Sequence, residues 1–534
     1  MTPPIGFAQP SAMSLALPFT IVGSATLASR VTGFVRDVMI AAALGTGPIA
    51  DIYVAAFLIP NLIRKMVSEG AFNASLVPRL ARLEREGGKQ AMQGFFDDLL
   101  SILLVATILL VLMAELFMPQ IMTLLAHGFA ADPGKLDNAV LFGRIAFPFV
   151  GFVILGAAIA ALLNALDRFA LAALVPLALN LMMILVLAVI LGGATAGPRE
   201  SGLVLVTTVL VAGLVQLVML WLAARRLGLA LSPRPWDALA GRIDPGAWSL
   251  LVRMLPAMVV AGSGHVHMVM ASQTASLEPR ILSMLYFADR LFQLPLGFVA
   301  SAIGVVLLPH VSRGFQQGDG AAMAQAQTES VIFAALLIFP ATIGLWILAE
   351  PIVSILFRHG AFLAEDALHT ARILKVLVLA LPAFVLIKVV LPSFLAREEM
   401  GRPVLAALLA LAVNGFAAWL LRTVDPVLAA PGGVVAGVWA NTLLLLAMAR
   451  GRLAFQPSAG LRVAATLLCA LVMGWCIHAL LPHAEPLLAP GRGFGLRVGV
   501  LAALCLGGIV VFGLLTRLLG VYSLAAIRRQ ARSS

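Results

Sequence analysis

Charged residues are scarce in this sequence. They make up 11% of its 534 residues, against roughly 25% in an average soluble domain. Hydrophobic residues make up 61%, and the mean hydropathy is +1.03. A single core in a water-soluble protein of this length could not bury so much apolar surface. The shortage of charge therefore excludes a soluble protein and indicates many membrane-spanning helices.

The sequence also lacks the short motifs of several enzyme classes. It contains no G-x-x-x-x-G-K-[ST], G-x-S-x-G or H-E-x-x-H, which argues against a P-loop ATPase, an α/β-hydrolase and a zincin protease. Its three cysteines, Cys469, Cys476 and Cys505, form no C-x-x-C pair and so indicate neither a zinc site nor a redox pair. His265 and His267 are two residues apart and project from a helix about 200° apart, which disfavours a shared metal ion. We predict a protein that is not an enzyme and has no metal or cofactor.

The basic balance, with a net charge of +11, does not indicate nucleic-acid binding, because most Lys and Arg lie in short loops between apolar runs. Eighteen of them fall in one set of loops and the C-terminal tail, against six in the opposite set. This asymmetry predicts that both termini are cytoplasmic. The first dozen residues lack the basic region of a cleavable signal peptide, and Met13 is an alternative start to Met1.

Apolar stretches of about 20 residues, each long enough to cross the ~30 Å of membrane hydrocarbon, recur along the chain. They predict an all-α polytopic membrane protein with fourteen transmembrane helices. The predicted spans lie near 20–45, 51–80, 95–118, 138–166, 169–192, 201–224, 247–275, 281–310, 328–349, 365–395, 403–422, 431–449, 462–482 and 495–519.

An internal repeat divides these helices. The decapeptide PQIMTLLAHG at 119–128 matches PIVSILFRHG at 351–360 in proline, leucine, histidine and glycine, and LVPRLAR at 76–82 matches LLPHVSR at 307–313 at nearly the same offset. The repeat predicts two parallel six-helix lobes, 13–228 and 246–450, with an extra helix pair at 461–520. Substrates of transporters built in this way lie between the halves. The paired histidines, His127 and His359, are interpreted as structural residues of a helix-ending turn.

Basic side chains occur within or at the ends of these apolar spans, where each costs about 2.5–3.5 kcal/mol unless water or a partner receives it. They are Arg30, Arg36, Arg64, Lys65, Arg144, Arg253, Arg290, Arg372, Lys375 and Lys388. The acids there are fewer, namely Asp37, Asp51, Glu69 and Asp289. The surplus predicts a water-filled cavity for an anion, and arginine in particular binds phosphate with a planar, always ionised fork.

Individual residues refine this prediction. We expect Arg30, Arg36, Arg64 and Arg290 to face the cavity, and Gly33 to let a bulky headgroup approach the first helix. Structural pairing of Lys65 with Glu69, four residues on, is favoured. Arg144 and Arg253 lie near span ends and are interpreted as reaching the membrane interface.

Two long segments carry a family resemblance. Ser29–Leu80, which contains SRVTGFVRDVMIAAALGTGPIADIYVAAFLIPNLIRK, resembles the opening of the MurJ (MviN) lipid II flippases, and Leu285–Pro309, LYFADRLFQLPLGFVASAIGVVLLP, resembles their eighth helix. The resemblance implies the fold of the multidrug/oligosaccharidyl-lipid/polysaccharide exporter superfamily: two six-helix lobes in a V that open alternately to each side. It implies that the two extra helices form a groove for a polyprenyl tail.

The resemblance also assigns site residues. It implies substrate binding by Arg30, Arg36, Arg64 and Arg290, and a gating role for Asp51. Further polar residues expected at the gate or in the cavity are Asp37, Asn61, Glu69, Asp289 and Gln293. The family commonly has glutamate at the position of Gln293, so an acidic role there is not expected in this chain.

The sequence thus predicts a lipid II flippase of the bacterial cytoplasmic (inner) membrane, with cavity arginines on the diphosphate of the undecaprenyl-linked disaccharide peptide. The expected partners are lipid II, membrane lipids and a cell-wall synthesis complex, with no nucleic acid. Three alternatives stay open: a flippase for another polyprenyl-diphosphate oligosaccharide, a cation-coupled multidrug exporter, and a non-transporting scaffold. The exporter would need cavity acids, and a scaffold would tolerate loss of the buried arginines.

Overall fold

The structure, a computed structural model, describes residues 12–67, 72–195, 197–317, 320–395, 399, 401–450, 456 and 458–521. Every regular element in this part of the chain is helical. The first ten α-helices are α1 Ala12–Leu44, α2 Pro48–Ala56, α3 Leu58–Met66, α4 Phe72–Leu116, α5 Met118–Leu125, α6 Pro133–Ala146, α7 Phe149–Ala165, α8 Phe169–Val189, α9 Pro198–Arg226 and α10 Pro235–Leu239. The others are α11 Pro245–Ala275, α12 Ile281–Gln317, α13 Gly320–Phe357, α14 Ala364–Leu377, α15 Leu381–Leu395, α16 Gly401–Arg422, α17 Pro426–Met448, α18 Ser458–Leu488 and α19 Phe494–Leu518.

Ten candidate spans among the described residues are long and apolar enough to cross a membrane. This confirms an all-α polytopic membrane protein. The other four predicted spans are those near 20–45, 51–80, 247–275 and 281–310. Each includes residues whose side chains lie outside the described part of the chain, so the total of fourteen stays a prediction.

Proline interrupts two helices that the hydropathy pattern presents as continuous, and glycine bends a third. The span predicted near 51–80 breaks at Phe57, three residues before Pro60, and this break separates α2 from α3; proline lacks the N–H that would bond back to the preceding turn. Pro148 stands between α6 and α7. Gly88 adopts φ 72° within α4, a left-handed conformation that favours glycine, so α4 consists of two arms.

Residues group by contacts into two compact units. The first comprises Met1–Ala43, Ala55–Met122 and Gly134–Gly262, and the second comprises Leu44–Val54, Thr123–Pro133 and Ser263–Ser534. The first unit has a core in which Leu76 and Phe96, from the two arms of α4, pack with Ile159 of α7 and Leu220 of α9.

In the second unit, α16 and α17 pack backbone to backbone. A Cβ on Gly433 would lie 2.8 Å from the Asn414 carbonyl oxygen, and one on Gly437 would lie 2.9 Å from the Ala410 carbonyl oxygen. Small residues four apart permit such close helix contact inside a membrane, where apolar burial supplies no driving force between helices. The Asp425 side chain caps α17 by accepting the Val427 N–H at 3.0 Å.

The two last helices also belong to the second unit. Met473 of α18 and Phe512 of α19 pack with Leu348 of α13 in a buried apolar cluster. Arg497 of α19 is buried, and its Nε donates to the Leu488 carbonyl oxygen at 3.1 Å. A second donation, from Arg497 Nη2 to the Ser354 carbonyl oxygen at 3.4 Å, also orients this buried charge by a backbone acceptor.

Candidate functional site

Arg36 lies in a polar group within the first unit. Its Nε and Nη2 donate to Asp37 Oδ1 at 3.0 and 2.8 Å, and its Nη1 donates to Asn180 Oδ1 at 2.9 Å. Asn180 Nδ2 in turn donates to the Ser29 carbonyl oxygen at 2.9 Å. The carboxylate and the amide thus hold the guanidinium plane in one orientation, since both bind its fork from fixed backbone positions.

Gly33 lies beside this polar group. A Cβ at position 33 would lie 3.2 Å from Asn180 Nδ2, so glycine lets the Asn180 amide approach the α1 backbone. That Gly33 also leaves room for a headgroup stays a prediction. In the sequence Asn180 is a single amide in an otherwise apolar helix, and nothing there predicts its contact with Arg36.

The other predicted residues of the first unit lie on α1 and α3. Arg64 Nε and Nη2 point at Asn61 Oδ1, both at 3.4 Å, and both residues are half-buried. Arg30 is exposed on α1. Glu69, and with it the proposed pair with Lys65, lies outside the described residues.

In the second unit, Arg290 lies over the ring of Tyr286, with its Cζ 4.3 Å from the ring centroid. One turn of α12 separates the two residues, so the aromatic face supports the guanidinium by a cation–π contact. Asp289, next to Arg290, is buried and accepts a hydrogen bond from Gln293 Nε2. Gln293, at the position where the family commonly has glutamate, thus orients the Asp289 carboxylate.

Asp51 is fully buried at the centre of a second polar group. Its Oδ1 accepts the Ser283 N–H at 3.0 Å and the Ser283 hydroxyl at 2.8 Å, and its Oδ2 accepts the Arg280 N–H at 3.1 Å. Arg280 has φ 72°, which is uncommon for a residue with a Cβ. The carboxylate therefore holds the turn that opens α12.

The Arg280 side chain continues this group. Its Nη2 donates to Asp366 Oδ1, and its Nε donates to Thr46 Oγ1 at 3.3 Å. Asp366 is also fully buried, and its Oδ2 accepts the Leu363 N–H at 2.8 Å at the start of α14. We call Thr46, Asp51, Arg280, Ser283 and Asp366 the clasp.

The clasp follows the internal repeat. Asp51 and Ser283 are 232 residues apart, the offset of the repeated decapeptides, so Asp51 binds its own repeat equivalent. A Cβ on Gly45 would lie 2.4 Å from the Ala361 carbonyl oxygen, and one on Gly128 would lie 2.1 Å from the Ser276 carbonyl oxygen. To within one residue these two contacts are related by the same offset. The two contacts are thus equivalent under the repeat, and the duplication itself stays a prediction.

Several other predicted charges have structural partners. Arg372 Nη2 lies 2.5 Å from Asp425 Oδ2, Lys375 Nζ lies 3.8 Å from Glu350 Oε2, and Arg144 Nε lies 3.8 Å from Glu115 Oε2. These three basic residues form ion pairs. Arg144, which was expected to reach the membrane interface, lies within ion-pair distance of the Glu115 carboxylate on α4.

The histidines take structural positions. His359 Nε2 lies 2.9 Å from the Ile355 carbonyl oxygen, and its ring packs edge-on against Phe494. His127 is exposed and opens a short 3₁₀ turn. His267 is buried, with its Nδ1 3.2 Å from Asn414 Nδ2.

The chain is similar in sequence to known proteins. A family model described as Lipid II flippase MurJ matches residues 40–489. The chain is 37% identical over 529 residues to a "Probable lipid II flippase MurJ" of Rhizobium tropici, and 36% identical over 530 residues to a "Probable lipid II flippase MurJ" of Rhizobium meliloti (strain 1021). Each alignment covers 97% of this chain and 97% of the relative.

Solved structures show the same fold. The chain is similar to "Lipid II flippase MurJ, inward closed conformation", with a TM-score of 0.75, 20% identity and coverage of 94% of this chain and 98% of that one. It is also similar to an inward-facing multidrug resistance MATE family transporter of the MOP superfamily, with a TM-score of 0.61, 13% identity and coverage of 81% and 97%. The family model and the aligned relatives cover most or nearly all of the sequence, so this chain belongs to the lipid II flippase MurJ family.

Proposed function

We propose that this protein moves lipid II, a disaccharide peptide on a polyprenyl diphosphate, from the cytoplasmic to the opposite leaflet of the bacterial inner membrane. The observation that carries the proposal is membership of the MurJ family over nearly the whole chain. The arginines in its apolar helices support it, since a diphosphate is the part of the substrate that arginine recognises best.

In this proposal Arg30, Arg36, Arg64 and Arg290 bind the diphosphate. The orientation of Arg36 by Asp37 and Asn180 supports such a role, because a side chain held before the ligand arrives loses less entropy on binding. The position of Arg290 over Tyr286 supports it in the same way. The bound diphosphate offsets repulsion among the arginines and so favours closure around it, as differential binding of two states requires.

The clasp acts as the gate. Asp51 and Asp366 are fully buried and both bind Arg280, so the group is stable only while all its members stay together. Separating them would leave buried charges without partners, which is costly. In the proposal the clasp is closed while the site faces the cytoplasm, and it opens to release lipid II on the other side.

The polyprenyl tail lies along α18 and α19. These helices present large apolar side chains outward, among them Trp475 at 71% exposure and Ile509 at 62%. Such a surface suits contact with hydrocarbon chains.

The proposal includes the remaining features predicted above: fourteen spans, two parallel lobes and cytoplasmic termini. Labelling by an impermeant maleimide of a cysteine at position 199, but not of one at position 225, tests this orientation.

The function is tested by depleting the protein in its host and scoring the accessibility of lipid II on the extracytoplasmic side of intact cells. Wild type, Arg30→Ala and Arg290→Ala are supplied in trans at matched membrane abundance, with the loop variants Arg199→Ala and Arg492→Ala as controls. We expect lipid II to accumulate on the cytoplasmic side, and wild type and both controls, but neither cavity variant, to restore its export.

Other outcomes separate the alternatives. Export of lipid II that continues after depletion would mean that the substrate is another lipid-linked oligosaccharide. Full rescue by both cavity variants would favour a scaffold in a cell-wall synthesis complex, because a scaffold has no use for arginines within membrane spans.

A further inference from the structure

A basic cavity lies in the first unit, and none of the four arginines proposed to bind the diphosphate lines it. It has a volume of about 410 Å³, within the range of about 300–1,000 Å³ typical of ligand pockets. Arg79, Arg82 and Arg253 line it together with Ser75 and Ser249. Its walls are the first arm of α4 and the start of α11. Three guanidinium groups and two hydroxyls around one cavity form a donor set suited to a phosphate group.

Nearby acids do not neutralise these arginines. Among the described residues, none of the three has a carboxylate within ion-pair distance. Arg79 instead lies over the Phe95 ring, with its Cζ 5.4 Å from the centroid, a contact that positions the guanidinium and leaves its charge in place. Arg82 and Arg253 are exposed. The cavity therefore has a high local density of positive charge.

Two acids in the second arm of α4, Asp97 and Asp98, bind the linker that leads into α11. Asp97 Oδ1 accepts the Ser232 N–H at 3.0 Å, and Asp98 Oδ2 accepts the Asp244 N–H at 3.0 Å. Asp98 Oδ1 also accepts from Arg234 Nη2 at 3.2 Å. These bonds fix the start of α11 against α4, so the cavity is a built feature rather than an accidental gap.

Exposed aromatic residues place the cavity at a membrane surface. Trp248, next to Ser249 on α11, is 59% exposed, and Trp236 on α10 is 80% exposed. Tryptophan with an exposed ring is typical of the headgroup level of a bilayer. Basic pockets between transmembrane helices on the cytoplasmic side bind anionic headgroups, and the segment containing Arg79 and Arg82 is predicted to be cytoplasmic.

We propose that this cavity binds the phosphate headgroup of an anionic phospholipid of the cytoplasmic leaflet. The headgroup bridges α4 and α11, with its phosphate on Arg79, Arg82 and Arg253 and its acyl chains beside the exposed tryptophans. This binding is separate from the transport of lipid II and does not depend on it.

The test uses the purified full-length protein in a neutral detergent and native mass spectrometry. Dioleoylphosphatidylglycerol is titrated against wild type and against the triple variant Arg79→Gln, Arg82→Gln, Arg253→Gln. The matched control is Arg225→Gln, Arg226→Gln, Arg242→Gln, which removes the same charge from exposed arginines that do not line the cavity. We expect one bound lipid per wild-type chain, affinity at least about tenfold weaker in the cavity variant, and wild-type affinity in the control.

Further measurements identify the source of the phosphate and test whether a variant is misfolded. Dioleoylphosphatidylcholine and glycerol 3-phosphate should bind at least about tenfold more weakly than phosphatidylglycerol. The single variant Arg82→Glu changes only an exposed residue and should also weaken binding while the melting temperature in lipid-free detergent stays at the wild-type value. Equal losses in the control and cavity variants would overturn the proposal, because they would indicate attraction to net charge alone. Equal binding of glycerol 3-phosphate would also overturn it, in favour of a soluble phosphate compound.

Discussion

Two neighbouring carboxylates of α14 show how burial decides the value of an ion pair. Asp366 and Glu365 both reach Arg280, but Asp366 is fully buried, whereas the Glu365 side chain is 67% exposed with its Oε2 3.8 Å from Arg280 Nη1. Loss of one partner of a fully buried pair leaves an uncompensated charge and costs about 3–5 kcal/mol. Because the Arg280 side chain is 35% exposed, we expect a smaller cost for loss of the Asp366 carboxylate. An exposed pair contributes about 0–1 kcal/mol.

We therefore predict that Asp366→Asn lowers the thermal stability of the purified protein far more than Glu365→Gln. Unfolding of both variants in detergent, followed by tryptophan fluorescence, measures the difference. Equal melting temperatures for the two variants would show that the clasp does not stabilise the second unit.

Asn180 provides a test at the cavity arginines. Its Oδ1 accepts from Arg36 and its Nδ2 donates to the Ser29 carbonyl oxygen. Asn180→Ala releases the guanidinium, and displacement of a positioned group by about 1 Å costs up to about 100-fold in rate. We predict a loss of lipid II transport of about tenfold or more. Asn180→Asp keeps an acceptor for Arg36 and should retain more activity than Asn180→Ala.

Reconstituted vesicles loaded with lipid II measure both rates at equal protein content. If Asn180→Ala transports at the wild-type rate, the bond to Arg36 has no part in binding the substrate. A similar loss in Asn138→Ala, whose amide is exposed and bonds to Arg199, would point to a general effect on folding.

At the scale of helices, the contact between α16 and α17 depends on glycine. A Cβ at Gly437 would lie 2.7 Å from Asn414 Cβ and 2.9 Å from the Ala410 carbonyl oxygen. Backbone atoms cannot move aside as a flexible side chain can, so Gly437→Ala forces the helices apart. We predict a destabilisation of about 1–3 kcal/mol, the usual cost of overpacking.

Gly344→Ala is the matched control, because a Cβ there would meet nothing within 4 Å and alanine favours the helix by roughly 0.5–1 kcal/mol. Thermal unfolding of the two variants in the same detergent gives the comparison. Gly437→Ala as stable as Gly344→Ala would contradict tight packing of α16 on α17.

Helices could be predicted well from the sequence, and their interruptions less well. Hydropathy locates α9, α16 and α19 to within a few residues, because hydrocarbon demands long apolar helices whatever their tertiary contacts. The break at Pro148 lies inside the single span predicted near 138–166, because apolar residues flank that proline on both sides. Gly88 falls between the spans predicted near 51–80 and 95–118, where the structure continues α4 through a left-handed glycine.

The polar groups could be predicted only in part. The family resemblance predicts a role for Asp51. In contrast, Arg280 is one of the six basic residues in the less basic set of loops, and Asp366 lies in an ordinary helix start. Their contact joins residues 86 positions apart, and one sequence without homologues gives no sign of such pairing. Arg253 was interpreted as a residue reaching the interface, and only its position opposite Arg79 shows a cavity.

For the whole molecule, alternating access requires that contacts between the two predicted lobes break during each cycle. One such contact within the second unit joins Gln273 Nε2 to the Leu124 carbonyl oxygen at 2.8 Å. Leu124 itself is 67% exposed, so its side chain can be replaced at little cost. We predict that a covalent link between positions 124 and 273 stops lipid II transport, and that cleavage of the link restores it.

The experiment places Leu124→Cys and Gln273→Cys in a chain whose Cys469, Cys476 and Cys505 are replaced by alanine. A short bismethanethiosulfonate reagent forms the link, and a reductant cleaves it. The pair Arg372→Cys and Asp425→Cys, where the native side chains lie 2.5 Å apart within one predicted lobe, is the control and should leave transport unchanged when linked. Full transport with positions 124 and 273 linked would mean that this contact stays closed throughout the cycle, and that lipid II leaves by a movement of other helices.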